Sequence, residues 1–76
     1  MKRIGKVLHL SNSGKLVLKT KLDARIGLAV VNNELTRVGT IVDVFGPVDH
    51  PYTSIQPVTR NPEKYVGKSL YVLEKS

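Results

Sequence analysis

The chain has no cysteine and no tryptophan among its 76 residues. Without thiols there is no disulfide framework, no thiolate zinc site and no cysteine nucleophile, a pattern that suits an intracellular protein. Aromatics are scarce, with one Phe and three Tyr, and none lies in the first 21 residues. No apolar run approaches the ~20 residues of a membrane-spanning helix, and the charged start leads into an alternating segment rather than the apolar core of a signal peptide. A cytoplasmic protein with no membrane partner is expected. Alanine occurs only twice, so helices should be minor. At this length a second domain or a deep active-site cleft has no room, and residues 1–76 are read as a single barrel domain.

What the chain has instead is eleven Val, four Ile and five Thr, the β-branched residues that suit a pleated, half-buried surface. Ile4, Leu8 and Leu10 alternate with Arg3, Lys6 and His9 up to the turn cluster Ser11, Asn12, Ser13 and Gly14, which reads as a first strand and a hairpin loop. Residues 15–21 place Leu16, Leu18 and Thr20 inward against Lys15, Val17, Lys19 and Lys21. Residues 28–31 form a short buried strand closed by Asn32 and Asn33. Residues 36–45 form the longest strand, with Val38, Thr40, Val42 and Val44 on one face and Gly39, Ile41, Asp43 and Phe45 on the other. Gly39 marks a bulge or bend. A fifth strand over residues 52–57 has proline at both ends. Asn61, Pro62 and Glu63 open a helical turn that Gly67 ends, and residues 69–73 return to strand. Six short strands with one helical turn predict an all-β fold, a small closed six-stranded antiparallel barrel, because closure removes the unpaired edges of a flat sheet.

Catalytic motifs are missing. No Gly-rich phosphate loop and no H-E-x-x-H pattern occurs, and His9 and His50 have no third ligand at metal spacing. Asp49, His50 and Ser54 supply the residue types of a hydrolytic triad without the length for a cleft and oxyanion hole. The chain is read as a non-enzyme with no catalytic residue, metal or cofactor.

Charge is uneven. Residues 1–21 hold six Lys or Arg and no acid, whereas residues 22–38 hold two of each sign and residues 39–76 four of each. The excess of +6 therefore sits on Lys2, Arg3, Lys6, Lys15, Lys19 and Lys21, which form either a solvated face or a nonspecific RNA contact. Sequence-reading of single-stranded RNA is disfavoured, since it needs stacking aromatics beside the cations.

The segment from Phe45 to Pro57 gathers the sole Phe, three of the four Pro and a Tyr. Its candidate partner-binding residues are Phe45, Gly46, Pro47, Val48, Pro51, Tyr52, Ile55 and Pro57. Phe45 shares an alternation face with Ile41, so it either plugs the barrel or joins an apolar rim. Tyr52 is the better anchor, because an aromatic on a rigid backbone loses little entropy on binding.

The pattern of Gly39, Ile41, Asp43, Val44, Phe45, Gly46, Pro47, Val48, Pro51, Tyr52, Ile55 and Pro57 resembles the small β-barrel subunit of H/ACA ribonucleoproteins, the Gar family, in its short archaeal form. The similarity extends through Asn61, Pro62, Tyr65, Val66 and Gly67 to Leu70, Tyr71 and Val72, and includes Arg3, Ile4, Gly5, Lys6 and Val7. Only residues 21–35 are generic, and the arginine- and glycine-rich tails of eukaryotic members are absent. The resemblance implies a barrel like that of translation-factor second domains. It also implies a non-catalytic subunit that docks on the catalytic domain of a dyskerin-family pseudouridine synthase. There it would govern substrate loading, turnover and release in guide-directed pseudouridylation of rRNA. H/ACA guide RNA and the other core proteins would be met through the complex, and substrate RNA mostly indirectly. The alternative is a barrel that binds RNA directly through its basic strands, in the manner of a ribosome-maturation or translation-factor module. The fold expectation is checked by far-ultraviolet circular dichroism, which should be β-dominated; helix above about a third of residues, the ordinary globular level, contradicts it.

Overall fold

The computed structural model describes residues 2–20 and 25–73. Six strands run as β1 Lys2–Leu10, β2 Leu16–Lys19, β3 Ala29–Val31, β4 Arg37–Phe45, β5 Tyr52–Pro57 and β6 Ser69–Val72, with a 3-10 turn, Pro62–Tyr65, before the last. They close into an antiparallel barrel in the order β1-β2-β5-β4-β3-β6. The fold expected from the alternating pattern is the one observed. No helix among the described residues is long and apolar enough to cross a membrane.

Closure depends on the two nine-residue strands, each of which serves two neighbours in turn. The first half of β1 pairs with β6 and its second half with β2. Likewise β4 pairs first with β3 and then with β5. A glycine sits at each changeover. A Cβ on Gly5 would run into the Lys19 carbonyl oxygen, and the φ of 150° there is one that other residues rarely adopt. A Cβ on Gly39 would meet the Gln56 carbonyl oxygen and come within 2.8 Å of Ile55 Cγ2. Both positions are corners at which one backbone crosses against another, which is the bend foreseen at Gly39.

Register shifts at these long strands correct three face assignments. A one-residue insertion between Arg3 and Gly5 opposite β6 shifts the phase so that Val7 joins Ile4 in the core, and a second between Val7 and His9 opposite β2 leaves Leu8 outward, 50% exposed. In β4 one shift lies between the partners of Val30 and Val31 and another between Ile41 and Asp43. Val38 and Ile41 are consequently both buried, although strict alternation puts them on opposite faces, while Val42 is exposed. Phe45 also ends outside, at 44% exposure, so it does not plug the barrel. A bulge adds one residue and flips every side chain beyond it to the other face. β2 needs no such correction: Leu16, Leu18 and Thr20 are buried as expected.

The core consists of Ile4, Val7, Leu16, Leu18, Val30, Val38, Ile41, Ile55, Leu70 and Val72, joined by Tyr65 from the 3-10 turn. Tyr65 is thus the aromatic that packs into the barrel, with Lys64 Nζ 5.2 Å from its ring centroid. The turn is tied to β1 on both sides, since Gly67 N donates to the Val7 carbonyl at 2.9 Å and Val7 N to the Lys68 carbonyl at 3.0 Å. Asn61 precedes the turn without a side-chain capping bond, and Pro62 supplies the preset φ. The buried hydroxyls of Thr20 and Thr53 share a hydrogen bond of 2.6 Å, which satisfies two polar groups that burial otherwise penalises.

Short turns fix the pairing. In the β1–β2 loop, Lys15 N donates to Ser11 Oγ at 3.1 Å and Gly14 N to the Ser11 carbonyl at 2.9 Å. Between β3 and β4, Asn32 Oδ1 accepts from Glu34 N and Thr36 N, each at 2.9 Å. This loop carries Leu35 through φ 65°, an uncommon conformation for a branched side chain. With the Gln56 carbonyl and Ile55 packed against Gly39, Gly39→Ala should lower stability by about 1–3 kcal/mol, the usual range for overpacking. A urea unfolding midpoint indistinguishable from that of the parent contradicts the close approach.

Candidate functional site

The turn joining β4 to β5 brings the two aromatic candidates together. Phe45 and Tyr52 are opposite partners at the end of the β4–β5 ladder. Their rings stack with centroids 5.8 Å apart and an interplanar angle of 23°, a spacing that favours offset stacking. Gly46 turns the chain at φ 97° beneath the Tyr52 ring. Pro47 follows exposed, Val48 is 96% exposed, and Pro51 and Tyr52 are half-buried. The turn is held by donation from His50 N to the Pro47 carbonyl at 3.2 Å, and from Thr20 N to the Pro51 carbonyl at 2.8 Å.

Two of the predicted rim residues do not belong there. Ile55 is fully buried, paired with Ile41 on one side and Leu16 on the other. It lies two residues from buried Thr53 and so shares the inward face of β5. Pro57 is opposite Gly39, at the far end of the strand from Tyr52, about 17 Å away at the rise of an extended chain. In place of these two the fold recruits residues that periodicity does not mark. Phe45 and Tyr52 line a shallow groove of about 550 Å³ with Leu8, His9, Val17 and Ser54. Val17, on the outward face of β2, is only 7% exposed. Leu8 reaches this groove because of the insertion between Val7 and His9, for which the local sequence carries no signal.

Asp49 and His50 are exposed in the turn, while Ser54 is buried and lines the groove beside His9. Among the described residues no group of three or more His, Asp or Glu is placed to hold a metal ion.

The basic residues divide. Arg3, Lys6 and Lys19 line one groove of about 290 Å³ with Ile4, Gly5 and Leu8. Lys15 lies apart, partly buried at the base of the hairpin loop, and Lys2 is exposed at the start of β1. Lys21 is outside the described residues. A third cleft, about 570 Å³, separates the β3–β4 turn from the 3-10 turn and is lined by Asn32, Glu34, Lys64, Tyr65, Lys68 and Tyr71 among others.

Fold and surface together define a small all-β module with an apolar rim and a cationic flank. No family model matches the chain. An uncharacterized protein of Methanothermobacter thermautotrophicus is 38% identical across an alignment of 76 positions that spans 95% of this chain and 83% of that one. The uncharacterized protein MJ0782.1 of Methanocaldococcus jannaschii is 35% identical over 57 residues, covering 75% of this chain and 69% of that one. The chain belongs to the family of these archaeal proteins. The aromatic pair yields a test of the rim as a built unit: a double-mutant cycle on Phe45→Ala and Tyr52→Ala should give a coupling of about 0.5–1.5 kcal/mol in unfolding free energy. Strict additivity contradicts a pre-assembled rim.

Proposed function

We propose that this chain is a non-catalytic subunit of an archaeal H/ACA guide ribonucleoprotein, of the Gar type. In this reading it docks through the β4–β5 rim on the catalytic domain of a dyskerin-family pseudouridine synthase and promotes substrate RNA loading, turnover and release in rRNA pseudouridylation, in the cytoplasm. The observation that carries the reading is the coincidence of two independent features. The stretch from Gly39 to Tyr52 that carries the most distinctive part of the family resemblance puts Ile41 in the core but also exposes Val42, Phe45 and Val48 to solvent. Val48 at 96% exposure and Phe45 at 44% contribute nothing to the core, so apolar side chains clustered at this turn call for a reason outside the barrel.

The physical logic favours protein docking at this rim. The turn is preorganised by its backbone bonds and by the stacked rings, so little entropy remains to be lost on association. Tyr52 is half-buried against Phe45 and keeps a polar hydroxyl, the combination that makes tyrosine a frequent anchor. In this reading the isomerisation itself belongs to the synthase, and the barrel's effect is on access to it.

Tyr52→Ala and Val48→Asp should each weaken binding to the purified synthase by about thirtyfold, a hot-spot loss of ~2 kcal/mol. Lys68→Ala, on the cleft beside the 3-10 turn, should bind as the parent does. Guided turnover should slow only when this subunit is limiting. Because Val48 makes no core contact, Val48→Asp should melt like the parent; parental affinity in that variant contradicts the rim as the docking site.

A further inference from the structure

The groove beside Gly5 has features that the rim does not share, and its ligand is of a different kind. Arg3 and Lys6 come from β1 and Lys19 from β2, and all three side chains are exposed. They converge because β1 leaves β2 at Gly5, where the missing Cβ lets the two backbones touch. The rest of the lining is Ile4, Gly5 and half-exposed Leu8; no carboxylate, amide or hydroxyl side chain lines the groove. A ligand held here meets positive charge and an apolar wall, with no directional side-chain acceptor to read its identity. We infer that this groove binds the phosphodiester backbone of a nucleic-acid strand, without sequence selection.

Spacing supports a polyanion over a single anion. Arg3 and Lys6 are three residues apart on an extended strand, about 10 Å, over which one strand of a nucleic-acid helix presents about three phosphates. Lys19 adds a third cation across the corner. Three surface cations contribute by counterion release, which makes the binding weak, sequence-independent and steeply salt-dependent. No aromatic lines the groove itself. Phe45 and Tyr52 lie in the adjoining groove, stacked on each other, and Tyr71, the ladder partner of Arg3, lines the cleft beside the 3-10 turn, so base stacking is not part of the contact. Leu8 lines both grooves, so a strand held by Arg3, Lys6 and Lys19 runs alongside whatever occupies the rim. The inference does not rest on the docking proposal and stands or falls without the synthase.

The test is a fluorescence anisotropy titration of the full chain with a labelled ten-nucleotide uridine RNA from 50 to 200 mM salt. Three single-strand phosphate contacts predict a log–log slope of about −2, or roughly a twentyfold loss over that range. The triple variant Arg3→Gln, Lys6→Gln, Lys19→Gln should lose at least tenfold in affinity at 50 mM and flatten the slope, while Lys6→Gln alone should reduce the slope by about 0.7. Arg60→Gln, Lys64→Gln, Lys68→Gln removes the same net charge elsewhere and should keep both parental affinity and slope. Unchanged binding in the first triple variant overturns the inference, as does an equal loss in both triple variants, which makes net charge the cause. Absence of RNA binding at 50 mM overturns it too, as does capture of the parent by vesicles of anionic phospholipid with no response to RNA, which makes the groove a membrane contact. Urea melts run in parallel should show the triple variants folded, and if the first is not, the single Lys6→Gln slope decides.

Discussion

The crossing of β1 against the Lys19 carbonyl at Gly5, and of β4 against the Gln56 carbonyl at Gly39, is the constraint on which the rest of this structure depends. A barrel of six short strands has a tight circumference, and closing it requires strands that bend through a corner while keeping their ladders intact. Here only β1 and β4 are long enough to do so, and each changes partner at its glycine. With those corners made, β6 reaches both β1 and β3, no sheet edge is left open in the described strands, and the core from Ile4 to Val72 is enclosed. The 3-10 turn then supplies Tyr65 to the core.

The same two corners place the apolar rim and the cationic flank. The Gly5 corner swings β1 away from β2 and opens the space lined by Arg3, Lys6 and Lys19. Beyond it, the insertion after Val7 sends Leu8 outward to stand between the basic groove and the apolar one. The Gly39 corner, with the shift after Ile41, brings the far end of β4 out so that Phe45 stacks on Tyr52 instead of filling the core. An apolar rim and a cationic flank sharing one wall would let a single small subunit touch a protein and a nucleic-acid strand side by side. In the function proposed above, that arrangement would serve an accessory role in a ribonucleoprotein enzyme, where access to a neighbouring active site is the quantity controlled.

Much of the architecture was legible in the amino-acid pattern. The β5 strand has the expected ends because Pro51 and Pro57 bound it, and β2 has the expected faces because its alternation is uninterrupted. Turn chemistry at Ser11 and Asn32 was equally plain, since short polar side chains bond the backbone nearby. The misassigned residues, Leu8, Val42 and Phe45, all lie at or beyond a one-residue insertion, and nothing in the local apolar pattern distinguishes an inserted residue from a paired one. The site followed the same division. Phe45, Gly46, Pro47, Val48 and Tyr52 stood out by composition, whereas Ile55 and Pro57 were drawn in by nearness in sequence although pleating buries one and strand length removes the other. The excess of cations in the first two strands was visible as a count, but which three of them meet depends on the Gly5 corner.

The central claim is that the β4–β5 rim is the face presented to the synthase, and amide hydrogen exchange of the free and synthase-bound barrel tests it most directly. The account predicts added protection concentrated in residues 46–52 and, more weakly, in residues 8–9 across the shared groove. Protection confined to the cleft between the β3–β4 turn and the 3-10 turn, with exchange at residues 46–52 unchanged by the synthase, contradicts it.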